Sequence, residues 1–148
     1  MLDAINWKII KILQQDARIS FAELGKAVHL SSPAVAERVK RLEEQGVIQG
    51  YRADIDLDKL GYPIVAQVQA RVFLGKEPEF IAFVKSLNGV LECTNVTGEK
   101  AFLLKIAASS MKELDQLLEG FSKLSETNSM IVLSQIVTQR TIEKPKAC

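Results

Sequence analysis

The sequence predicts an α+β protein that joins an N-terminal winged helix-turn-helix to a C-terminal ferredoxin-like β-α-β-β-α-β domain. Two observations predict it. Residues 1–53 carry three helical patterns and one strand pattern, and residues 64–138 alternate between strand and helix patterns. The 148 residues have room for two small domains. We therefore expect domains at these two ranges, a polar hinge at 54–63 and a tail at 139–148.

Residues 31–46 are the most informative stretch, because they predict an amphipathic helix with a small, basic face. Ser31 or Ser32 can act as the N-cap, and Pro33 then falls in the first turn. Gly46 ends the helix as its C′ glycine. The apolar positions recur at i, i+4 and i+7, and they are Val35, Val39 and Leu42. A helix of this kind suits the DNA major groove, so the first hypothesis is sequence-specific binding of double-stranded DNA.

The candidate DNA contacts follow from the helical geometry. Ala34, Glu37 and Arg41 lie opposite the apolar face, and Arg38 and Lys40 flank them. Arginine side chains can reach base edges or phosphates. A helix N-terminus also favours phosphate, so hydroxyls there can contact the DNA backbone. The full predicted set is Ser31, Ser32, Ala34, Glu37, Arg38, Lys40 and Arg41.

Two upstream helices and a downstream strand frame this helix. The first helix covers residues 3–15, with Asp3 as a plausible N-cap. The second covers residues 20–28, where the S-x-x-E spacing of a capping box occurs. Residues 29–31 then make a turn of the length that helix-turn-helix units use. Residues 47–52 predict a strand that starts a wing.

The charge of the N-terminal region is modest. Residues 1–52 hold eight basic against six acidic side chains, a net charge of +2. Binding therefore has to rely on clustered charge and on a dimer rather than on bulk charge.

The second half predicts one antiparallel sheet with two helices on one face. The expected strands are 64–74, 90–96, 101–107 and 129–138, and the expected helices are 77–87 and 110–123. The face of the first strand that carries Val65, Gln67, Gln69 and Arg71 is partly apolar, which indicates self-association rather than open solvent. A tolerated mixed surface is the alternative. The tail at 139–148 is polar and expected to be frayed.

Composition argues against several other classes of protein. Cys93 and Cys148 are far apart, which makes a disulfide framework unlikely and fits a cytoplasmic protein. One histidine and two cysteines do not make a classical zinc site within one chain. No signal peptide and no membrane-spanning apolar run is visible. We expect no metal and no cofactor.

No constellation of catalytic residues is visible either, so we expect no enzyme. His29 lies in the turn between two helices. A role in capping the helix or contacting a phosphate is a simpler interpretation of His29 than a role as a general base. The alternating Asp54, Asp56 and Asp58 could suggest a metal site, but acids in an exposed hinge are usually solvated.

The sequence resembles the Lrp/AsnC, or feast/famine, family of transcription regulators over nearly the whole chain. The resemblance is carried by LDAINWKIIKILQQDAR, ELGKAVHLS, VAERVKRLEEQGVIQGYRADID and the KLGY that follows. It implies DNA binding through residues 31–41. It also implies homodimers built on the C-terminal sheets, which assemble further into tetramers, octamers or larger rings.

The resemblance also implies a small effector, usually an amino acid, near the loop between the second and third strands of the C-terminal domain. The corresponding candidate residues are Asn95, Thr97, Gly98, Glu99, Lys100 and Ala101. Many family members carry an Asp where this chain has Ala101, and that Asp would suit an effector ammonium group. Glu99 or another subunit could substitute for it. Two alternatives to effector binding stay open. Thr97 and Gly98 can be a hairpin turn that needs a glycine for its backbone conformation. The whole protein can be an architectural DNA-wrapping protein of low sequence specificity with no effector.

Overall fold

The computed structural model describes residues 2–138 and 140–145. The described chain forms two compact units. One comprises residues up to Asp54 together with residues from Val137 onward, and the other comprises Ile55–Ile136. The first unit holds three helices, which are α1 (Ala4–Gln15), α2 (Phe21–Val28) and α3 (Ser32–Glu44). The second holds, in chain order, β1 (Ile64–Val72), α4 (Glu77–Ser86), β2 (Val90–Asn95), β3 (Phe102–Ala108), α5 (Met111–Phe121) and β4 (Ser125–Ile131).

The three N-terminal helices begin where the sequence places their caps. The side chains of Asp3, Ser20 and Ser31 each accept a backbone N–H of the first turn, and Ser20 forms the full capping box with Glu23. The helices bury one apolar cluster, which includes Ile9, Leu24, Val28, Val35, Val39 and Leu42. The predicted helix-turn-helix is thereby confirmed.

The turn between α2 and α3 lies unusually close to α2. The backbone N–H of Leu30 donates to the carbonyl of Gly25 at 2.9 Å. A Cβ added to Gly25 would lie 2.6 Å from the carbonyl oxygen of Leu30, which is too close for any side chain. His29 takes the left-handed conformation, with φ 59°, and so ends α2 and reverses the chain.

Residues 47–52, predicted as a wing strand, form no strand within the chain. The N–H groups of Val47 and Ile48 donate instead to the carbonyl of Leu42 at the end of α3. The Tyr51 hydroxyl donates to Glu43 at 2.8 Å, and burial together with this carboxylate raises the pKa of Tyr51 to about 12. The segment therefore packs against the end of α3, because no strand among the described residues of this unit offers it a ladder of hydrogen bonds.

The described part of the tail contacts α1, although the sequence predicts a frayed end. Gln14 and the backbone of Ile142 exchange two hydrogen bonds, of 2.8 and 3.2 Å. The Nζ of Lys11 lies 2.7 Å from a carboxylate oxygen of Glu143. These contacts are exposed, and polar tails of this kind gain order only from such specific pairing.

The second unit is a four-stranded antiparallel sheet in the order β2-β3-β1-β4, which confirms the ferredoxin-like prediction. Ala66, Val68 and Ala70 of β1 point into the core, as the alternation predicts. Both helices cover this face, because the same cluster contains the buried side chains Phe80, Val84, Phe102, Leu104, Ile106, Leu114 and Phe121.

The last strand is displaced from its prediction. The sequence favours 129–138, where β-branched residues concentrate, whereas β4 occupies Ser125–Ile131. The reason is register: β4 pairs with β1 from Val72 back to Ala66, so it must begin as soon as α5 ends. Beyond β4 the N–H of Val132 still donates to the carbonyl of Val65 at 2.8 Å, but Leu133 and Ile136 are 95% and 89% exposed.

We expect Gly25→Ala to destabilise the helix-turn-helix unit by about 1–3 kcal/mol, because the added methyl group forces the turn away from α2. Denaturant unfolding followed by the fluorescence of Trp7, the single tryptophan, measures this. Ala27→Ser on the exposed side of α2 is the control and should change stability by less than about 0.5 kcal/mol. Equal stability of the two variants would contradict the packing argument.

Candidate nucleic-acid interface and effector loop

The orientation of α3 is set by its buried side. Val35, Val39 and Leu42 are at most 3% exposed and belong to the apolar cluster that the three helices share. The side chains on the opposite face therefore project from the unit. Glu37, Lys40 and Arg41 are exposed there.

The N-terminal members of the predicted set lie at the start of this helix. Ser31 is the N-cap, and its Oγ accepts the backbone N–H of Ala34 at 3.4 Å. Ser32 begins α3, and Ser32 and Ala34 are half-buried. The small side chains leave the backbone of this first turn accessible to a ligand.

Arg38 is turned towards α1 rather than outward. Its guanidinium donates to the carboxylate of Asp3 at 2.7 Å and to the amide oxygen of Asn6 at 2.9 Å. The backbone N–H of Asn6 and, next, this guanidinium hold the pKa of Asp3 below its usual range. The position explains the contact, since Arg38 lies on the flank of the buried face. In the free chain Arg38 thus joins α3 to α1.

The two cations on the outer face are paired within α3 itself. The Nε of Arg41 lies 3.0 Å from a carboxylate oxygen of Glu37, and the Nζ of Lys40 lies 3.6 Å from Glu44. The helix carries three basic and three acidic residues and so has no net charge. Its outer face therefore offers alternating donors and acceptors rather than a uniform positive patch.

A shallow polar groove runs beside this face, between α1 and α3. It is lined by side chains that include Asp3, Asn6, Glu37, Arg38, Arg41 and Gln45. Charged and amide groups of this kind can hydrogen-bond to base edges and phosphates.

The loop proposed for an effector connects β2 to β3. Asn95, Thr97, Gly98 and Glu99 are exposed, and Lys100 is half-buried. The carbonyl of Ala101 accepts the N–H of Val96 at 2.7 Å and closes the loop, in which Gly98 has φ 117°. The side chain of Ala101 packs against the core of the sheet domain and is apolar.

A charged cluster beside this loop is not visible in the sequence. Arg71, near the end of β1, pairs with Glu126 on β4, and its Nε lies 3.6 Å from Glu99. Arg71 and, more weakly, Lys100 hold the pKa of Glu126 below its usual range. Strand alternation places Arg71 on the outer face, but only the sheet order brings it beside the loop.

A helix-turn-helix unit, whose second helix can enter the DNA major groove, here joined to a ferredoxin-like domain, defines a class of DNA-binding proteins. Comparison with known families agrees. The model of the AsnC-type helix-turn-helix domain matches residues 2–43, and that of the Lrp/AsnC ligand-binding domain matches residues 66–142. The chain belongs to the Lrp/AsnC family, as the resemblance implies, and is a DNA-binding transcription regulator.

Individual relatives support this assignment. The HTH-type transcriptional regulator LrpC of Bacillus subtilis is 33% identical over 138 residues, which cover 93% of this chain and 96% of LrpC. The leucine-responsive regulatory protein of Haemophilus influenzae is 38% identical over 143 residues, covering 91% and 86%. These relatives are regulators, not enzymes, which confirms the interpretation against catalysis.

Solved structures have the same architecture. Bacillus subtilis LrpC superimposes with a TM-score of 0.89 over 94% of this chain and 99% of that chain, at 33% identity. A feast or famine regulatory protein of Mycobacterium tuberculosis, solved in complex with L-methionine, gives 0.90 over 97% and 100%, at 30% identity. Within the described part of this chain, no helix combines the length and hydropathy needed to cross a bilayer.

Acid is expected to destabilise the helix-turn-helix unit through two caps. The Asp3 contacts and the Ser20 side chain and backbone hold the pKa values of Asp3 and Glu23 below their ordinary 3.8 and 4.5. A lowered folded pKa stabilises the fold above the unfolded value, and this stabilisation is lost as the pH falls through the folded value. The double variant Asp3→Asn, Glu23→Gln should therefore lose less stability than the parent between about pH 5 and pH 2. Thermal unfolding followed by Trp7 fluorescence tests this, and parallel losses would contradict it.

Proposed function

We propose that this chain is a sequence-specific transcription regulator that acts as a homodimer or larger assembly and responds to a small effector such as an amino acid. The observation that carries the DNA part is the outer face of α3, where Glu37, Lys40 and Arg41 project while the other side is buried. Double-stranded DNA as the partner makes the cytoplasm the expected location.

DNA recognition in this proposal uses two copies of α3. A two-fold dimer places its recognition helices in successive major grooves, about 34 Å apart. Arg41 contacts a base edge or phosphate, and Lys40 contacts the backbone. The helix N-terminus at Ser31 and Ser32 adds backbone N–H groups to a phosphate. Arg38 supports the interface by fixing α3 on α1.

Self-association is supported by the surface of the sheet domain. The outer face of the sheet is not covered by either helix, and the chain beyond β4 exposes Leu133 and Ile136 almost fully. Large exposed apolar side chains are typical of interfaces between subunits when they form a contiguous patch. We expect a second copy of the chain to cover this surface, because a protein that binds DNA with two-fold symmetry has to be a dimer.

The effector part is supported by the charges around the β2–β3 loop. Arg71 and Lys100 offer cations for a carboxylate, and Glu99 and Glu126 offer anions for an ammonium group. A zwitterionic amino acid needs both, and the similar Mycobacterium tuberculosis protein was solved with L-methionine. Glu99 would then take the place of the acid that many family members carry at the position of Ala101.

An architectural role with no effector is the second candidate. It is favoured by Ala101, whose apolar side chain packs against the core and cannot bind an ammonium group. Low sequence specificity would then follow from contacts to phosphates alone.

Gel shifts on the promoter of the protein's own gene separate these proposals. A shift that resists excess unrelated DNA and changes with a pool of amino acids supports an effector-linked regulator, and fractionating the pool finds the ligand. A resistant shift indifferent to the pool supports specific binding and counts against an amino-acid effector. If the shift is lost to competitor, purification of bound fragments from the whole genome decides whether any site is specific. Uniform recovery would favour the architectural role.

Arg41→Ala should weaken operator binding by about 1–3 kcal/mol if the guanidinium contacts a guanine in two places. Titration by fluorescence anisotropy at fixed salt measures this. Lys85→Ala removes one exposed positive charge from α4 in the other unit and serves as the control. Unchanged affinity of the Arg41 variant would contradict the assignment.

Leu133→Asp should dissociate the proposed assembly, because burying a new carboxylate in an apolar interface is costly. Sedimentation velocity of the purified chain should show a smaller species than for the parent. Leu74→Asp, at a fully exposed leucine in the loop after β1, is the matched control and should leave the mass unchanged. Identical masses for all three proteins would exclude Leu133 from the interface.

A further inference from the structure

We propose that Glu37 and Arg41 form a base-reading pair, in which Glu37 recognises a cytosine and Arg41 a guanine in the same or the neighbouring base pair. The inference rests on the proposed sequence-specific binding and names the residues that set the specificity. It concerns two side chains one turn apart on the outer face of α3.

The position of Glu37 makes it a direct participant in any complex formed by this face. Its helical angle places it almost opposite the buried stripe of Val35, Val39 and Leu42. Its side chain is 55% exposed, and its salt-bridge partner among the described residues is Arg41 at 3.0 Å. Arg38, the other cation nearby, is held by Asp3 and Asn6.

A carboxylate in this place needs a favourable DNA contact. Phosphates repel it, and the major-groove edge of guanine presents only acceptors. The N4 amino group of cytosine is a donor that glutamate side chains accept in the major groove. If α3 bound phosphates only, Glu37 would weaken binding by neutralising Arg41.

The distance between the two groups lets them reach bases that lie close together in the major groove. Four residues at a rise of 1.5 Å each separate Glu37 and Arg41 by about 6 Å along α3. Successive base pairs are about 3.4 Å apart. The carboxylate and the guanidinium can therefore contact the two bases of one G·C pair or bases of two adjacent pairs. Arginine binds the O6 and N7 of guanine in two places.

The second ion pair of α3 is a built-in control. Glu44 and Lys40 have the same i, i+4 spacing, but their groups are 3.6 Å apart and Glu44 is the last residue of the helix. Base contacts come mainly from the N-terminal part of a recognition helix. Glu44 lies furthest from that part, at the end of the helix beyond Arg41, so we expect it to read no base and its removal to raise affinity for all sequences slightly.

Selection of binding sites from a random double-stranded DNA library, using the full-length protein, tests the proposal. The parent should select a motif with C and G at one or two adjacent positions. Glu37→Gln should lose its preference for that cytosine by about 5- to 100-fold and gain a preference for adenine, which glutamine binds through N6 and N7. Glu44→Gln should select the parent motif. Circular dichroism confirms that each variant is folded.

The other outcomes overturn the inference in distinguishable ways. If Glu37→Gln selects the parent motif and binds all DNA more tightly, Glu37 only neutralises Arg41 and reads no base. If the folded parent selects no motif at all, sequence-specific binding itself is wrong, and the base-reading role falls with it.

Discussion

The close contact between α2 and the turn before α3 is the constraint on which the DNA-binding unit depends. Because Gly25 has no side chain, the carbonyl of Leu30 can lie within 2.6 Å of where a Cβ would be. His29 reverses the chain in the left-handed conformation. These two features fix where α3 starts and at what angle it packs. The buried stripe then decides which of its side chains project, so the candidate interface follows from a backbone contact.

In both units, acidic side chains form salt bridges with the basic side chains of the candidate sites. On α3 each basic side chain has an acidic partner, and one of these pairs, Asp3–Arg38, also joins two helices. In the sheet domain Arg71 lies between Glu99 and Glu126. Exposed salt bridges contribute little to the stability of the fold. A ligand that binds one of the two charged groups, however, has to displace the other. A surface without net charge favours ligands with matching donors and acceptors over any polyanion.

Both ends of the described chain contribute to the DNA-binding unit. The chain leaves this unit after Asp54 and returns to it at Val137. The returning segment is held on α1 by the contacts of Ile142 and Glu143, and α1 in turn holds Arg38 through Asp3. The recognition helix is therefore supported by a helix that contacts the end of the chain, through polar groups that sequence patterns do not connect.

The sequence by itself determined the caps, the three helices, the buried stripe of α3 and the order of strands and helices. Each depends on periodicity or on a local hydrogen bond, such as Ser20 with Glu23, which neighbouring residues supply. Tertiary structure alone decided the rest. The position of β4 follows from its register with β1. Residues 47–52 form no strand because no other described segment of their unit is a strand that could pair with them. Arg38 turns to α1, and Arg71 meets Glu99 and Glu126, because folding brings together groups that are far apart in the chain.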